Sequence, residues 1–210
     1  LLNLKYKKVF ILSCSKEKIL IPEKFSNEEE VTELYRLSLG IHKKDILLKR
    51  NIKIIESYIA ETLPDNLITF LTTKYPAAYI VNSAYPFIIN SMDKTAHNAN
   101  NLFIDIHDQY FDILITKEHE ILLFNSFDYS SITDLLYYIL NCVQQCVIEK
   151  EELYTTISGN HANEPKLLDL FRKYLPHINI LNNPRLSQLI KNNQLNTSSF
   201  IHLLNIHQCE

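Results

Sequence analysis

The chain has 210 residues, 46% of them hydrophobic and 21% charged, with a formal net charge of −3. That is ordinary globular composition, so it argues against wholesale disorder and leaves room for one large domain or two small ones. No apolar run approaches the ~18 residues that span a bilayer, and no basic run is interleaved with aromatic residues, so neither an integral membrane protein nor a nucleic-acid binder is expected.

Charge is unevenly spread: residues 1–53 carry 12 Lys/Arg against 7 Asp/Glu, whereas 54–150 carry 4 against 12. The basic residues of the front are scattered along strand and helix patterns, as on a solvated surface. No signal-peptide pattern opens the chain. It does not begin with Met, which implies a start inside a longer protein.

Taken in order, Val9–Ser13 predicts a strand, Ser15-Lys16-Glu17 a turn, and Lys18–Ile21 a returning strand before Pro22, together a hairpin. Ser26 and Glu29 form a capping-box pattern for a helix whose stripe is Val31, Leu34 and Tyr35 and whose stop is Gly40. Residues 45–49 and 52–58 predict a strand pair turning at Arg50-Asn51. Pro64 opens a helix with Leu67, Phe70 and Leu71 on one face, stopped near Pro76. A short strand over 78–82 and a helix over 85–92 follow. The polar stretch 93–101, DKTAHNANN, has no apolar period and marks the internal boundary. The domains expected are therefore 1–97 and 98–210.

The second half opens with LFIDIH, YFDILITK and EILLFNSF, three strands joined by two tight turns. In the middle one Phe111, Ile113 and Ile115 alternate with Asp112, Leu114 and Thr116, which suits a central strand covered on both faces. Ser131 caps a long helix carrying Ile132, Leu135, Leu136, Ile139, Leu140, Val143 and Val147 at three-four spacing. A strand over 153–158 comes next, then a helix begun by Asn163 and Pro165 with Leu167, Leu168, Phe171 and Tyr174 as its stripe. A last strand over 178–181 and short helices over 186–190 and 198–207 finish the chain. Mixed strands and helices make the fold class α/β, with α+β character in its mixed sheets.

Chemistry has few places to reside. The hairpin tip Asp105-Ile106-His107-Asp108, with Asp112 beyond it, is the densest carboxylate group. Phosphoryl-transfer sites use such acids to hold magnesium, while glycine-rich turns expose amides to the phosphates. Here the turn residues are His107, Asp108 and Gln109, and the whole chain has two glycines, Gly40 and Gly159. Ser158-Gly159-Asn160, at the end of a strand, is the second candidate. Cys142 and Cys146 share a helix face, but a structural zinc needs four ligands and no paired-ligand spacing completes them. Reduced thiols in a cytoplasmic compartment are the simpler reading. There is no nucleophile elbow, phosphate-binding glycine loop or paired-histidine motif, so no catalytic residue and no metal ligand are assigned.

The block LLFNSFDYSSITDLLYYILNCVQQ, with LYTTISGN, LLDLFRKYL, the closing LLNIHQCE and the front segment KVFILSCSKEKILIPEKF, resembles an uncharacterised family from Bacteroidetes, domain of unknown function 3822. The resemblance implies an actin-like (ribonuclease H-like) duplicated fold of two related halves, with its first strands upstream of Leu1. It places Asp105 where the second phosphate loop's Asp would stand and His107 where that loop's glycine would be. Ser158, Gly159 and Asn160 would stand at the adenosine-contacting turn, which normally carries consecutive glycines. Asp105, His107, Asp108, Ser158, Gly159 and Asn160 are thus the candidate residues of a degenerate nucleotide cleft, with ATP and magnesium disfavoured as cofactors. The function expected is a non-catalytic binding or scaffold protein with a protein partner. The alternatives are an ATPase of the actin-like superfamily and an adaptor of an envelope assembly, as in type IV pilus actin-like proteins.

Overall fold

The computed structural model describes residues 6–25, 27–41, 44–95 and 99–181, with 203 and 206. It divides into two compact units, Leu1–Tyr85 and Pro86–Glu210. The helices predicted over 186–190 and 198–207 lie outside the described residues, apart from 203 and 206.

In the first unit β1 (Phe10–Ser13) pairs in parallel with β5 (Tyr79–Asn82). β2 (Lys18–Pro22) and β3 (Asp45–Ile52) flank β4 (Ser57–Pro64) in a three-stranded antiparallel sheet. β1 and β2 are therefore no hairpin. Ser15 Oγ accepts from the Glu17 amide, and the Lys18 amide reaches back to the Lys16 carbonyl. The chain bends there without pairing the two strands, and carries β2 into the other sheet. The β3–β4 turn lies over Lys53–Glu56, later than the predicted Arg50-Asn51, with Glu56 left-handed at φ 47°. Arg50 remains in the strand, donating through Nε to the Ile80 carbonyl with its guanidinium over Tyr79.

α1 (Glu28–Ser38) is capped by Asn27, whose Oδ1 accepts from the Glu29 amide, in place of the predicted Ser26. Its Val31 and Tyr35 pack on Ile21 and Ala60. α2 (Asp65–Lys74) buries Ile68 against Leu63 and Ile80, with Leu71 beside them. Of the predicted stripe, Leu71 packs inward, whereas Phe70 is 56% exposed and Leu67 is also exposed. Buried Glu61 on β4 accepts from Ser13 Oγ on β1 and from Asn82 Nδ2 on β5, tying the two small sheets together. Burial pushes this carboxyl above its usual range, against the lowering effect of those two hydrogen bonds. α3 (Ala84–Met92) begins at the end of this unit.

The second unit is built on a five-stranded sheet. β6 (Asn100–Ile106), β7 (Tyr110–Lys117) and β8 (Glu120–Asp128) form an antiparallel meander, as predicted. The β7–β8 turn has Glu118 and His119 both at positive φ, the two-residue geometry that matches strand twist. α4 (Ile132–Gln145) then crosses over to β9 (Leu153–Gly159), parallel to β6. α5 (Pro165–Phe171) leads to β10 (His177–Ile180), parallel to β9. The spatial order is β10-β9-β6-β7-β8.

Ser131 caps α4 by accepting from the Asp134 amide, as its sequence implied. Leu135, Leu136, Ile139 and Val143 pack on Leu102, Ile104, Phe111, Ile113 and Ile115 of the sheet. Val147, predicted to continue that stripe, is 91% exposed at φ 56°, because the helix ends at Gln145 and the chain turns left-handed. Tyr137 is likewise exposed, so its hydroxyl needs no internal partner. α5 starts with Pro165 at its first turn and buries Leu167, Leu168 and Phe171, while Tyr174 falls beyond its end and is exposed. From tip to Thr116, β7 is buried on both faces. Leu136→Ala is expected to cost roughly 2–5 kcal/mol as a large-to-small core change, read from urea unfolding. A loss below about 1 kcal/mol would be incompatible with the packing of α4 described here.

Candidate functional site

Strand register generates the site. Asp105 on β6 stands directly opposite Asp112 on β7 and opposite Ser158 on β9, and Asp112 stands opposite Ser126 on β8. Paired residues point to the same face of a sheet. The result is a row, Ser158–Asp105–Asp112–Ser126, across four adjacent strands. Both acids are buried, as is Ser158. Ser158 Oγ donates to Asp105 Oδ1 at 2.8 Å, and Ser126 Oγ donates to Asp112 Oδ1 at 2.6 Å. The second oxygen of each acid faces one ring: His107 Nε2 lies 3.2 Å from Asp105 Oδ2 and 3.5 Å from Asp112 Oδ2.

His107 occupies the β6–β7 turn, folded over the strand ends and only 18% exposed. Tyr110 stacks on the ring with centroids 4.2 Å apart. Its backbone is held as well: the His107 amide donates to the Tyr110 carbonyl, and Tyr129 Oη donates to the His107 carbonyl at 2.6 Å. Burial pulls the imidazole's pKa down, but the hydrogen-bonding and charge of Asp105 and Asp112 outweigh it and raise the pKa to about 9.

At the neighbouring strand end Gly159 has φ +99° and lies flush against β6; a Cβ there would sit 2.1 Å from the Ile106 carbonyl oxygen. The Asn160 amide donates to that same oxygen at 2.8 Å. Asn160 Nδ2 donates to Asp108 Oδ1 at 2.7 Å, bridging the hairpin tip to the end of β9.

All six residues singled out from sequence therefore gather at one end of the sheet. Asp105, His107 and Ser158 belong to the buried cluster, Asp108 and Asn160 form an outer bridge, and Gly159 contributes backbone. Tyr110, Ser126 and Tyr129 join them, the last two from the polar and aromatic stretch 125–129 that ends β8 and leads to α4. Counting outward from the two turns would have placed Ser126 only by allowing for the β7–β8 register shift at Ile115/Thr116, which no residue type announces.

A meander of three strands, a helical crossover and two further parallel strands, with the first strand in the middle, is the order of the actin-like class. A protein from Bacteroides thetaiotaomicron with an actin-like ATPase fold and unknown function superposes with a TM-score of 0.85 at 22% identity, covering 100% of this chain and 76% of that one. A PilM–PilN type IV pilus biogenesis complex contains a chain of similar fold, with a TM-score of 0.55 at 12% identity over 97% of this chain and 80% of that one. The chain belongs to the family described as protein of unknown function DUF3822, which matches residues 1–178. No curated protein matches it in sequence. Among the described residues no helix is long and apolar enough to cross a membrane.

Proposed function

We propose that this chain is a non-catalytic, cytoplasmic member of the actin-like class that acts by binding a partner protein. One observation carries the reading: the imidazole of His107 lies against both Asp105 and Asp112, the acids best placed to hold a nucleotide's magnesium. A magnesium–nucleotide does not fit this arrangement, because the imidazole puts a nitrogen beside both carboxylates where magnesium takes oxygen ligands and keeps its waters. Two backbone amides of the same sheet end, those of His107 and Asn160, are turned inward to carbonyls and away from any phosphate. Partner binding then follows as the use left to an actin-like frame without its nucleotide chemistry. The complex of the PilM-like neighbour with PilN is consistent with such a use. An adaptor role in an envelope assembly is the form of partner binding that this neighbour favours.

The test is a thermal melt of the full-length protein with ATP and magnesium. A ligand at 100 times its dissociation constant adds about 2.7 kcal/mol of stability, so a nucleotide-binding protein would melt visibly higher. The expected result is an unchanged melting temperature and no hydrolysis above background. ATP-dependent stabilisation, or hydrolysis abolished by Asp105→Ala, would overturn the reading.

A further inference from the structure

We propose that Asp105, His107 and Asp112 form a three-ligand site for a transition-metal ion of the zinc class. The donors are mixed, one imidazole nitrogen and two carboxylate oxygens, and all three lie within 4.8 Å of one another. Nitrogen and oxygen ligands bind zinc at about 2.0–2.1 Å, which places tetrahedral neighbours about 3.3–3.4 Å apart. The two edges from His107 Nε2, 3.2 and 3.5 Å, bracket that value. His107 Nε2 is itself buried and directed at both carboxylates.

A second, separate feature points the same way. Each carboxylate is oriented from behind by a serine hydroxyl on its Oδ1, Ser158 for Asp105 and Ser126 for Asp112. The ring is fixed by the Tyr110 stack, and its backbone by Tyr129. Metal sites are built in this manner, with outer groups that aim the ligands and leave them little freedom to lose on binding. Imidazole with carboxylate favours a borderline ion over magnesium, which takes oxygen ligands and keeps its waters. Three protein ligands leave one position for water or for a donor from a bound partner.

The test uses the full chain, stripped with a chelator and titrated with zinc alone, with cobalt(II) substituted to report coordination. One zinc per chain is expected, with a raised melting temperature, the visible absorption of four-coordinate cobalt, and no displacement by excess magnesium. His107→Gln should abolish stoichiometric binding. Ser126→Ala should weaken it by about 10- to 100-fold, as loss of an orienting group does elsewhere. His177→Gln, on β10 and outside the cluster, should leave it unchanged. Absence of stoichiometric binding overturns the proposal, as does binding that both His107→Gln and Ser126→Ala leave intact. Zinc titration and ATP melting are separate readouts, so failure of this site leaves the partner-binding reading standing, and the converse holds too.

Discussion

Gly159→Ala is expected to cost at least about 3 kcal/mol, the scale of a strained backbone combined with a steric clash. A drop in the urea midpoint at unchanged slope would register it. The added methyl would meet the Ile106 carbonyl oxygen at 2.1 Å and its amide nitrogen at 2.5 Å, both of them backbone. β6 cannot retreat, because Ile106 is paired with Phe111 on one side and Gly159 on the other. Backing away would also break the bond from the Asn160 amide to Ile106. Gly40 supplies the control. It has positive φ too, at +80°, but nothing lies within 4 Å of its missing Cβ. Gly40→Ala should therefore cost only the left-handed backbone penalty of about 1–2 kcal/mol. If the two variants unfold at the same midpoint, close approach is not what holds Gly159 in place.

The second large effect is a dependence of stability on pH in metal-free protein. Folding raises the His107 pKa from 6.5 to about 9, so the folded state holds its proton more tightly than the unfolded chain does. The stabilisation is fully present below 6.5 and is lost as pH rises through about 9. A shift of this size corresponds to about 3 kcal/mol, by the conversion of one pKa unit to 1.36 kcal/mol. Unfolding curves taken in chelator from about pH 6 to about pH 10 should show stability declining across that window. His107→Gln should flatten the decline. A decline of equal size in the variant would assign it to other groups.

Local chemistry made most of the second unit readable. Alternation predicted the meander, and the Ser131 cap and the three-four spacing predicted α4. What the sequence could not display were choices made by partners far away along the chain. β1 left the predicted hairpin because β5, nearly seventy positions on, supplies its pairing. α2 rotated because Ile68 fits against Leu63 and Ile80, and Phe70 was left outside. Val147 fell off its stripe because the chain turns left-handed two residues beyond the helix. The candidate site shows the same division. Asp105, His107 and Asp112 are near neighbours in sequence, whereas Ser126 and Ser158 reach them only through strand pairing.

A strand buried on both faces, as β7 is, carries apolar residues at Phe111, Ile113, Leu114 and Ile115, so hydrophobicity alone does little to choose its alignment. Side chains alternate with a period of two, and sliding β7 by a single residue would invert every one of them. Asp112 would then enter the layer formed by Leu135, Leu136 and Ile139. An unpaired charge in such surroundings costs several kcal/mol. The acid that faces Ser126 and His107 in the native alignment thus makes the neighbouring alignments prohibitive. The polar cluster at this end of the sheet serves as the lock that admits one way of assembling it.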